Sequence, residues 1–331
     1  MLMLSRRRLI ALSAAQAFAP SLFIREGRAQ TPKVGFPNRP VRLIVPVAAG
    51  GPTDIVARML AERLSSMWGE QVVIENKGGA GTNIGNEYVA RSEPDGYTVL
   101  FATSSLAVNA SLYRSLSYDS IADFAPVSLV TQLAYFVFVP ISSPAHSMKE
   151  FIDYARSRPG KLSMASPGTG SAPFLAEMLF LQMADIQMTH IPYRGASPAF
   201  TDLIPGRVDC YFGSGALLSY ARSGQVRVLG TSGSKRDAAA PDVPTIAESG
   251  VPGYDVTAWQ ALFVPTRTPA KIVRKISADT NTALADPSVK DKLAANGYLA
   301  EGSSPEQLEE LLKAEIVKWS AVIKSIGLKI D

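Results

Sequence analysis

Residues 41–64 read VRLIVPVAAGGPTDIVARMLAERL and predict a strand, a glycine turn and a helix in direct succession. The apolar run at 41–45 is typical of a buried parallel strand, and Pro46 ends it. Pro52 is placed to begin the helix, and Asp54 falls in its first turn, where a carboxylate favours the positive end of the helix dipole. The small residues at 48–51 leave the first amide groups of the helix open to an anion.

The same unit repeats along the chain. Further strands are predicted at 72–75, 97–102, 127–130, 135–139, 162–165, 188–193, 208–212, 226–229 and 259–264. Helices separate many of them, which indicates an α/β fold with parallel sheets, and a second copy of the plan begins near residue 135. Residues 232–255, rich in Pro, Gly and Asp, are expected to form a long surface connection. Ser304, Pro305 and Gln307 predict a capping box for a long terminal helix, and the terminal segments are expected to pack back on the first lobe.

Residues 1–29 have the features of an export signal. A basic stretch at 6–8 precedes an apolar run at 9–19, Gly27-Arg28-Ala29 is a small-x-small cleavage signal, and residues 5–10 resemble a twin-arginine motif. The alternative, an uncleaved anchor, is disfavoured because the run is shorter than the ~20 residues of a membrane span. We expect a periplasmic protein cleaved near Ala29.

The charge balance argues against a nucleic-acid surface. Five of the 33 basic residues and one of the 29 acidic residues lie in the export signal, so 28 of each remain after cleavage. A mature chain with no net charge offers no general attraction to phosphate backbones.

Patterns typical of enzymes and metal sites are missing from the sequence. His146 and His190 are the two histidines and Cys210 is the single cysteine, so no zinc-ligand spacing and no internal disulfide can form. Cys210 lies in an apolar run and is interpreted as a core residue. The glycine–serine turns do not match the Gly-x-Ser-x-Gly elbow, and the glycines at 79, 81 and 85 are spaced one residue too far apart for a dinucleotide fingerprint. We therefore expect no enzyme, no cofactor and no metal.

Turns of small and hydroxyl residues follow the strands at 48–52, 78–83, 103–105, 166–171, 195–197 and 213–215. Ligands of open α/β sheets bind at this carboxyl edge. One such turn is an ordinary strand-to-helix connection, but the repetition predicts a cleft lined by amides and hydroxyls. A helix start gives up to ~2 kcal/mol with an anion, and a hydrogen bond to a charged group gives ~1.5–3 kcal/mol. Three or four such contacts reach the roughly −8 kcal/mol of a micromolar site.

A series of motifs carries a family resemblance. In chain order they are RPVRLIVP (39–46), AAGG (48–51), ENK (75–77), GAG (79–81), PDGY (94–97), GTGS (168–171), HIPYRG (190–195) and PDVPT (241–245). Together they resemble the periplasmic solute-binding proteins of tripartite tricarboxylate transport, the Bug or TctC family, over residues 36–328. The resemblance implies a type II periplasmic-binding-protein fold of the α/β class, with two Rossmann-like lobes, a hinge and a central cleft. Residues 30–132 and 257–331 would form lobe 1, and residues 133–256 would form lobe 2.

The resemblance also implies that a ligand carboxyl is held by backbone amides and ordered water at the first turn, with further contacts from both lobes. The ligand-binding residues carried over for lobe 1 are Val47, Ala48, Ala49, Gly50, Gly51, Asp54, Gly79, Ala80, Asn83, Thr103, Ser104 and Trp259. Those for lobe 2 are Ser166, Gly168, Thr169, Gly170, Ser171, Phe174, Tyr193, Gly195, Ala196 and Gly213.

Three positions depart from the family pattern. Phe174 stands where a histidine is frequent, Gly213 where an aspartate is frequent, and Gln260 where a glycine or an aromatic residue is frequent. Without an acid at Gly213 nothing is assigned to pair a ligand amine. The expected ligand is a di- or tricarboxylate, or an aromatic acid lying on Phe174 and Leu217, in preference to an amino acid.

The resemblance implies a monomer that closes on its ligand and delivers it to the membrane permease subunits of a tripartite tricarboxylate transporter. A sensor that docks a membrane histidine kinase is the open alternative, because its binding chemistry would be identical. The sequence does not separate the two.

Overall fold

A computed structural model of the chain describes residues 35–47, 49–169, 171–193 and 196–330. The strands are Val41–Val45 (β1), Val72–Asn76 (β2), Thr98–Thr103 (β3), Phe124–Ala134 (β4), Phe136–Pro140 (β5), Ser163–Ser166 (β6), Thr189–Pro192 (β7), Cys210–Gly213 (β8), Val226–Thr231 (β9), Thr257–Pro265 (β10) and Leu299–Ala300 (β11). The helices are Pro52–Trp68 (α1), Asn83–Ala90 (α2), Ser105–Leu112 (α3), Met148–Arg156 (α4), Ala172–Ala184 (α5), Ala196–Leu203 (α6), Leu218–Arg222 (α7), Ala270–Ala285 (α8), Pro287–Ala295 (α9) and Pro305–Ser325 (α10). Two short 3₁₀ helices span Ala80–Thr82 and Gly215–Leu217.

The first sheet has the strand order β11-β4-β10-β3-β1-β2. β1 lies parallel to β2 and β3, as the repeated strand–helix unit predicts. β10 is antiparallel to both β3 and β4, so the predicted parallel arrangement does not extend to this strand. The reason is topological: β4 carries the chain out of this sheet and β10 brings it back in the opposite direction.

The second sheet has the order β7-β6-β8-β5-β9. β6 lies parallel to β7 and β8, whereas β5 is antiparallel to β8 and β9. β5 follows β4 directly, and the return from β9 to β10 takes residues 232–256. The fold is therefore mixed α/β, with two sheets joined by two crossing segments.

The two crossing segments are hydrogen-bonded to each other. Ser232 donates its backbone N–H to the Tyr135 carbonyl at 2.8 Å, and its hydroxyl accepts the Tyr135 N–H at 2.8 Å. The same hydroxyl donates to the Val256 carbonyl at 2.6 Å. Ser232 is fully buried, so one side chain ties the outgoing and returning strands where they pass between the sheets.

The core has three parts. One apolar cluster includes Leu100 and Trp259 of the first sheet together with Phe180 and Phe212 of the second half, so the two sheets share it. A second cluster packs α1, α8 and α9 on the other face of the first sheet, and a third packs α6 and α7 against the second sheet. α10 packs against α3 and β4, as expected for the terminal helix, and also reaches α5.

Two local features differ from the sequence-based expectations. Residues 232–255 are not a surface connection throughout, because Ile246, Val251 and Tyr254 are buried and the Tyr254 hydroxyl donates to the Ala176 carbonyl at 2.8 Å. Their apolar residues follow neither helical nor strand spacing, so the sequence pattern concealed them. α9 and β11 were not predicted. Among the helices that the structure describes, none has the length and apolar character of a membrane span.

Candidate functional site

The first turn, between β1 and α1, is organised around the Asp54 carboxylate. Asp54 is 1% exposed. Its Oδ2 accepts the Gly50 N–H at 2.9 Å and the Arg58 Nε–H at 2.8 Å, and its Oδ1 accepts the Asn76 side-chain amide at 2.9 Å. Burial by itself would raise the pKa of Asp54, but these hydrogen bonds outweigh it and hold the pKa below its usual value. The prediction of an open first turn is thus wrong for Gly50, whose amide is already used, and Asp54 acts as the internal anchor of the turn.

The first backbone N–H groups of α1 have no acceptor within the helix. The first intrahelical bond runs from the Ile55 N–H to the Gly51 carbonyl at 3.0 Å. The preceding N–H groups of a helix have no intrahelical partner. Asn76 also donates to the Val47 carbonyl at 3.2 Å and so ties the turn to the end of β2. Val47 and Gly51 are half-buried and Ala49 is exposed.

The second turn, Gly79 to Thr82, has four consecutive residues with positive φ: Gly79 at 126°, Ala80 at 46°, Gly81 at 60° and Thr82 at 84°. Ala80 and Thr82 hold a left-handed conformation that costs of order 1–3 kcal/mol each and needs support from the surroundings. Asn109 supplies it, because its side-chain amide donates to the Gly81 carbonyl at 2.7 Å and to Asn83 Oδ1 at 2.7 Å.

Tyr118 and Gly85 also help to position the second turn. The Tyr118 hydroxyl donates to Asn83 Oδ1 at 2.6 Å, so the carbonyl oxygen of Asn83 is occupied within the protein. Gly85 lets α2 approach β1 closely, since a Cβ there would lie 2.7 Å from Pro46 Cβ and 2.9 Å from the Lys77 carbonyl oxygen. This contact brings the second turn beside the first.

The end of β3 lies beside β10. The Ser104 N–H donates to the Trp259 carbonyl at 3.0 Å, and Thr103 is in register with Gln260. Gln260 Nε2 in turn donates to the Thr53 hydroxyl at 3.2 Å, at the start of α1. Trp259 is 1% exposed, and its indole N–H has no hydrogen-bond partner within the described chain. Gln260 and Thr53 were not predicted as site residues, because their contact spans about 200 residues of sequence.

In the second sheet, a turn follows β6. The Ser166 hydroxyl accepts the Gly168 N–H at 3.2 Å and shares a 2.7 Å hydrogen bond with His190 Nε2. The Tyr193 N–H donates to the Ser166 carbonyl at 3.0 Å, and Ser171 caps α5 by accepting the Phe174 N–H at 3.4 Å. These bonds bring Ser166, Gly168 and Tyr193 together at one edge of the sheet.

Phe174 and Leu217, which were predicted to contact an aromatic ligand, have other packing partners in the structure. Phe174 is 5% exposed and packs on the His190 ring, with 4.5 Å between ring centroids. Gly213 is also buried, and a Cβ there would lie 2.6 Å from Leu217 Cδ1 and 2.8 Å from Tyr211 Cε1. Leu217 and Tyr211 therefore crowd the place of an acidic side chain at position 213.

Of the remaining predicted residues, some have side chains that the structure describes and others lie outside the described residues. Thr169 is exposed, and the Tyr193 hydroxyl donates to Asp202 at 2.8 Å. Ala48, Gly170 and Gly195 lie outside the described residues, and Ala196 is the first residue of α6. The first-sheet group and the second-sheet group are each held together by hydrogen bonds.

The nearest arrangement to a catalytic pair is Ser166 with His190. A serine nucleophile must reach its substrate, but Ser166 is fully buried. Burial raises the pKa of the Cys210 thiol well above its usual value, which keeps it protonated. In the parts of the chain that the structure describes, no three His, Cys, Asp or Glu side chains are placed to hold a metal ion.

A separate hollow of about 260 Å³ lies at the opposite, amino-terminal ends of β1 and β3. Arg39 and Arg42 line it, but Arg39 pairs with Asp95 at 2.7 Å and Arg42 with Glu75 at 3.8 Å. Its cations are thus already neutralised, and it lies away from the turns at the carboxyl edge.

Three known proteins resemble the chain closely. Protein BugT of Bordetella pertussis is 35% identical over 298 residues, which cover 89% of this chain and 91% of BugT. The solved structure of R. palustris Rpa4515 with adipate is 35% identical with a TM-score of 0.78, covering 89% of this chain and 99% of that one. MatC from Rhodopseudomonas palustris with bound malate is 33% identical with a TM-score of 0.73, covering 87% and 100%.

The chain also matches the common sequence pattern of a protein family. Residues 56–328 match the TctC family, described as the tripartite tricarboxylate transporter family receptor. The solved relatives have the two-lobe fold of periplasmic solute-binding proteins, which agrees with the two sheets and their crossing segments. The chain therefore belongs to the TctC family of tripartite tricarboxylate transporter receptors.

Proposed function

We propose that this chain is a periplasmic receptor that closes two lobes on a small organic acid and delivers it to the permease of a tripartite tricarboxylate transporter. The lobes are residues 30–132 with 257–331, and residues 133–256. The segment 1–29 is the export signal, removed near Ala29. The proposed partners are the permease subunits and the acid, and the proposed state is a monomer.

The observation that carries this proposal is the position of the turns. The turns after β1 and β3 and the turn after β6 follow the carboxyl ends of strands, where ligands of α/β sheets bind. They offer helix-start amides and hydroxyls, which stabilise a carboxylate without a charged side chain. Asp54, Asn109 and Ser166 organise the turns after β1, β2 and β6, which supports a preformed site.

The two crossing segments between the lobes support the proposed closure. Hydrogen bonds among Ser232, Tyr135 and Val256 connect the two crossing segments where they pass between the sheets. A ligand that contacts turns on both lobes binds the closed state better than the open state and shifts the population toward it. The closed protein then presents the surface that the permease recognises.

The proposed ligand class is a di- or tricarboxylate. The solved relatives with adipate and malate support this class. Gly213 carries no acidic side chain that would pair a ligand amine. With Phe174 packed on His190, little of its ring faces a ligand, so we place the aromatic acids second.

The test is a thermal-shift screen followed by calorimetric titration with adipate, malate, citrate, benzoate, aspartate and glutamate. A dicarboxylate or tricarboxylate should raise the melting temperature and bind at micromolar concentration. Thr169→Ala and Ser104→Ala should each weaken binding by roughly 1–2 kcal/mol with little effect on folding.

Thr282→Ala is the matched control, because Thr282 is exposed on α8 and its hydroxyl bonds within that helix. Stabilisation by amino acids alone would refute the ligand class. If none of the acids binds, and native mass spectrometry of the fresh protein finds no co-purified acid, the receptor function itself is refuted.

A further inference from the structure

His190 and Ser166 form a hydrogen-bonded pair next to the proposed second-lobe turn. Ser166 is the last residue of β6, and His190 lies on the neighbouring strand β7. His190 Nε2 and Ser166 Oγ are 2.7 Å apart. Ser166 is fully buried and His190 is half-buried, so the serine is the inner member of the pair.

Ser166 organises the turn through both of its oxygens. Its hydroxyl oxygen accepts the Gly168 N–H at 3.2 Å, and its carbonyl accepts the Tyr193 N–H at 3.0 Å. The Gly168 carbonyl then accepts the Ser171 N–H at 3.2 Å. Each bond uses an amide internally, so Ser166 determines which amides of the turn stay available to a ligand.

The fate of the Ser166 proton favours one state of the histidine. A serine hydroxyl has one proton, and since Ser166 Oγ accepts from Gly168, it can donate that proton to His190 Nε2. Nε2 accepts only in a neutral ring that carries its proton on Nδ1. A proton on Nε2, as in the charged imidazolium, would donate to the second lone pair of Ser166 Oγ and leave the proton of this buried hydroxyl without an acceptor among its contacts in the described chain.

The surroundings favour the neutral ring. Phe174 of α5 covers the imidazole at 4.5 Å between ring centroids, and burial lowers the pKa of His190. On the elements packed around this region, α5 carries the buried Glu177, and Asp202 of α6 is bonded by Tyr193 and Arg207. None of these groups contributes to the shift, whose cause is burial.

We propose that His190 is a positioning residue for the solute site: as a neutral acceptor it holds Ser166, and through Ser166 it sets the backbone of the turn at Gly168 and Thr169. This role rests on the proposed function. It differs from the role of a merely satisfied core histidine, for which the tautomer and the hydroxyl of Ser166 would have no effect on the turn.

The first experiment needs no ligand. The chain has two histidines, so a ¹⁵N NMR spectrum of the imidazole nitrogens can be assigned with His146→Asn, a change at an exposed position. At pH 7 His190 should show a protonated Nδ1 and an accepting Nε2. Ser166→Ala should change the Nε2 signal and speed hydrogen exchange of the Gly168 amide about tenfold, as expected for the loss of a hydrogen bond.

The second experiment separates positioning from packing. In His190→Gln the side-chain oxygen can accept the Ser166 proton in place of Nε2, whereas His190→Leu cannot accept it. Adipate should bind His190→Gln nearly as well as the wild-type protein and His190→Leu about tenfold more weakly. Below the pKa of His190 the affinity of the wild-type protein should fall with pH more steeply than that of His190→Gln, because protonation of adipate itself affects both proteins equally.

The outcomes distinguish a failure of the positioning role of His190 from a failure of the proposed receptor function. A ring that is charged at pH 7 or protonated on Nε2, or equal Gly168 exchange in Ser166→Ala and wild type, overturns the positioning role whatever adipate does. If the ring and the Gly168 amide behave as expected but the wild-type protein binds no organic acid, the proposed function fails while the local geometry stands.

Discussion

Glu177 should make the stability of this protein depend on pH. It lies on α5 and is fully buried. Its Oε1 accepts the Phe212 N–H at 3.3 Å, and Oε2 has no partner within the described chain. Burial raises the pKa of this carboxyl well above its ordinary value of 4.5. Burial also keeps the neighbouring Cys210 and Tyr254 in their neutral forms. Among the residues that the structure describes, no positive charge lowers the pKa of Glu177.

The sign and size follow from proton linkage. Between pH 4.5 and the folded-state pKa, the unfolded chain ionises Glu177 and the folded protein does not, so folding takes up one proton. The free energy of unfolding then falls by about 1.4 kcal/mol per pH unit from this group. Its contribution is complete below pH 4.5 and is lost as the pH rises through the folded-state pKa.

Glu177→Gln isolates the effect. Glutamine has the same shape and an oxygen that can accept the Phe212 N–H, but it does not ionise. Its buried NH₂ lowers the free energy of unfolding by the same amount at every pH. The test is therefore the dependence of the free energy of unfolding on pH, and not the difference between the two proteins at one pH. Urea unfolding followed by tryptophan fluorescence from pH 4.5 to 8 should show the variant gaining about 1.4 kcal/mol on the wild-type protein per pH unit over the lower part of this range.

The control is Glu310→Gln, a change at an exposed position on α10. All other titrating groups are shared, so their contributions cancel in the difference. Parallel stability curves for the wild-type protein and Glu177→Gln would refute the reasoning. That result would mean that Glu177 ionises as readily in the folded protein as in the unfolded chain.

Three other substitutions test the packing of the first lobe and the connection between lobes. Gly85→Ala should destabilise the protein by about 1–3 kcal/mol in urea unfolding, because its Cβ meets the backbone and ring of neighbouring residues at 2.7–2.9 Å. Asp54→Asn should cost about 2 kcal/mol at pH 7, the scale of hydrogen bonds to a buried charge. Since folding lowers the pKa of Asp54, this difference should begin to shrink as the pH falls below 3.8 and should be lost as the pH falls through the lower folded-state pKa. Ser232→Ala should cost about 2 kcal/mol, because it leaves the buried Tyr135 N–H without an acceptor. Equal stability of a variant and the wild-type protein in any of these comparisons would contradict the corresponding contact.

The local elements could be predicted because their signals lie within a few residues. The helix at Pro52 begins where the sequence places it. The capping box of Ser304 with Gln307 at the start of α10 is confirmed. In these cases a strand run, a cap or a glycine turn fixes the backbone without help from distant residues.

The sheet order and the supporting contacts could not be predicted because distant residues determine them. The antiparallel position of β10 depends on where the returning segment enters the first sheet. The contact of Gln260 with Thr53 joins residues that are about 200 positions apart. Asp54 was correctly placed in the first turn of α1, but its use of the Gly50 amide depends on a turn geometry that its sequence does not specify.

The most direct test of the account is a crystal structure with the acid that gives the largest thermal shift. The carboxylate of the bound acid should accept hydrogen bonds from backbone amides at the start of α1 and from the turn at Gly168 to Ser171, between the two sheets. An acid held instead by the arginine side chains at the amino-terminal edge of the first sheet, or bound to one lobe alone, would contradict it.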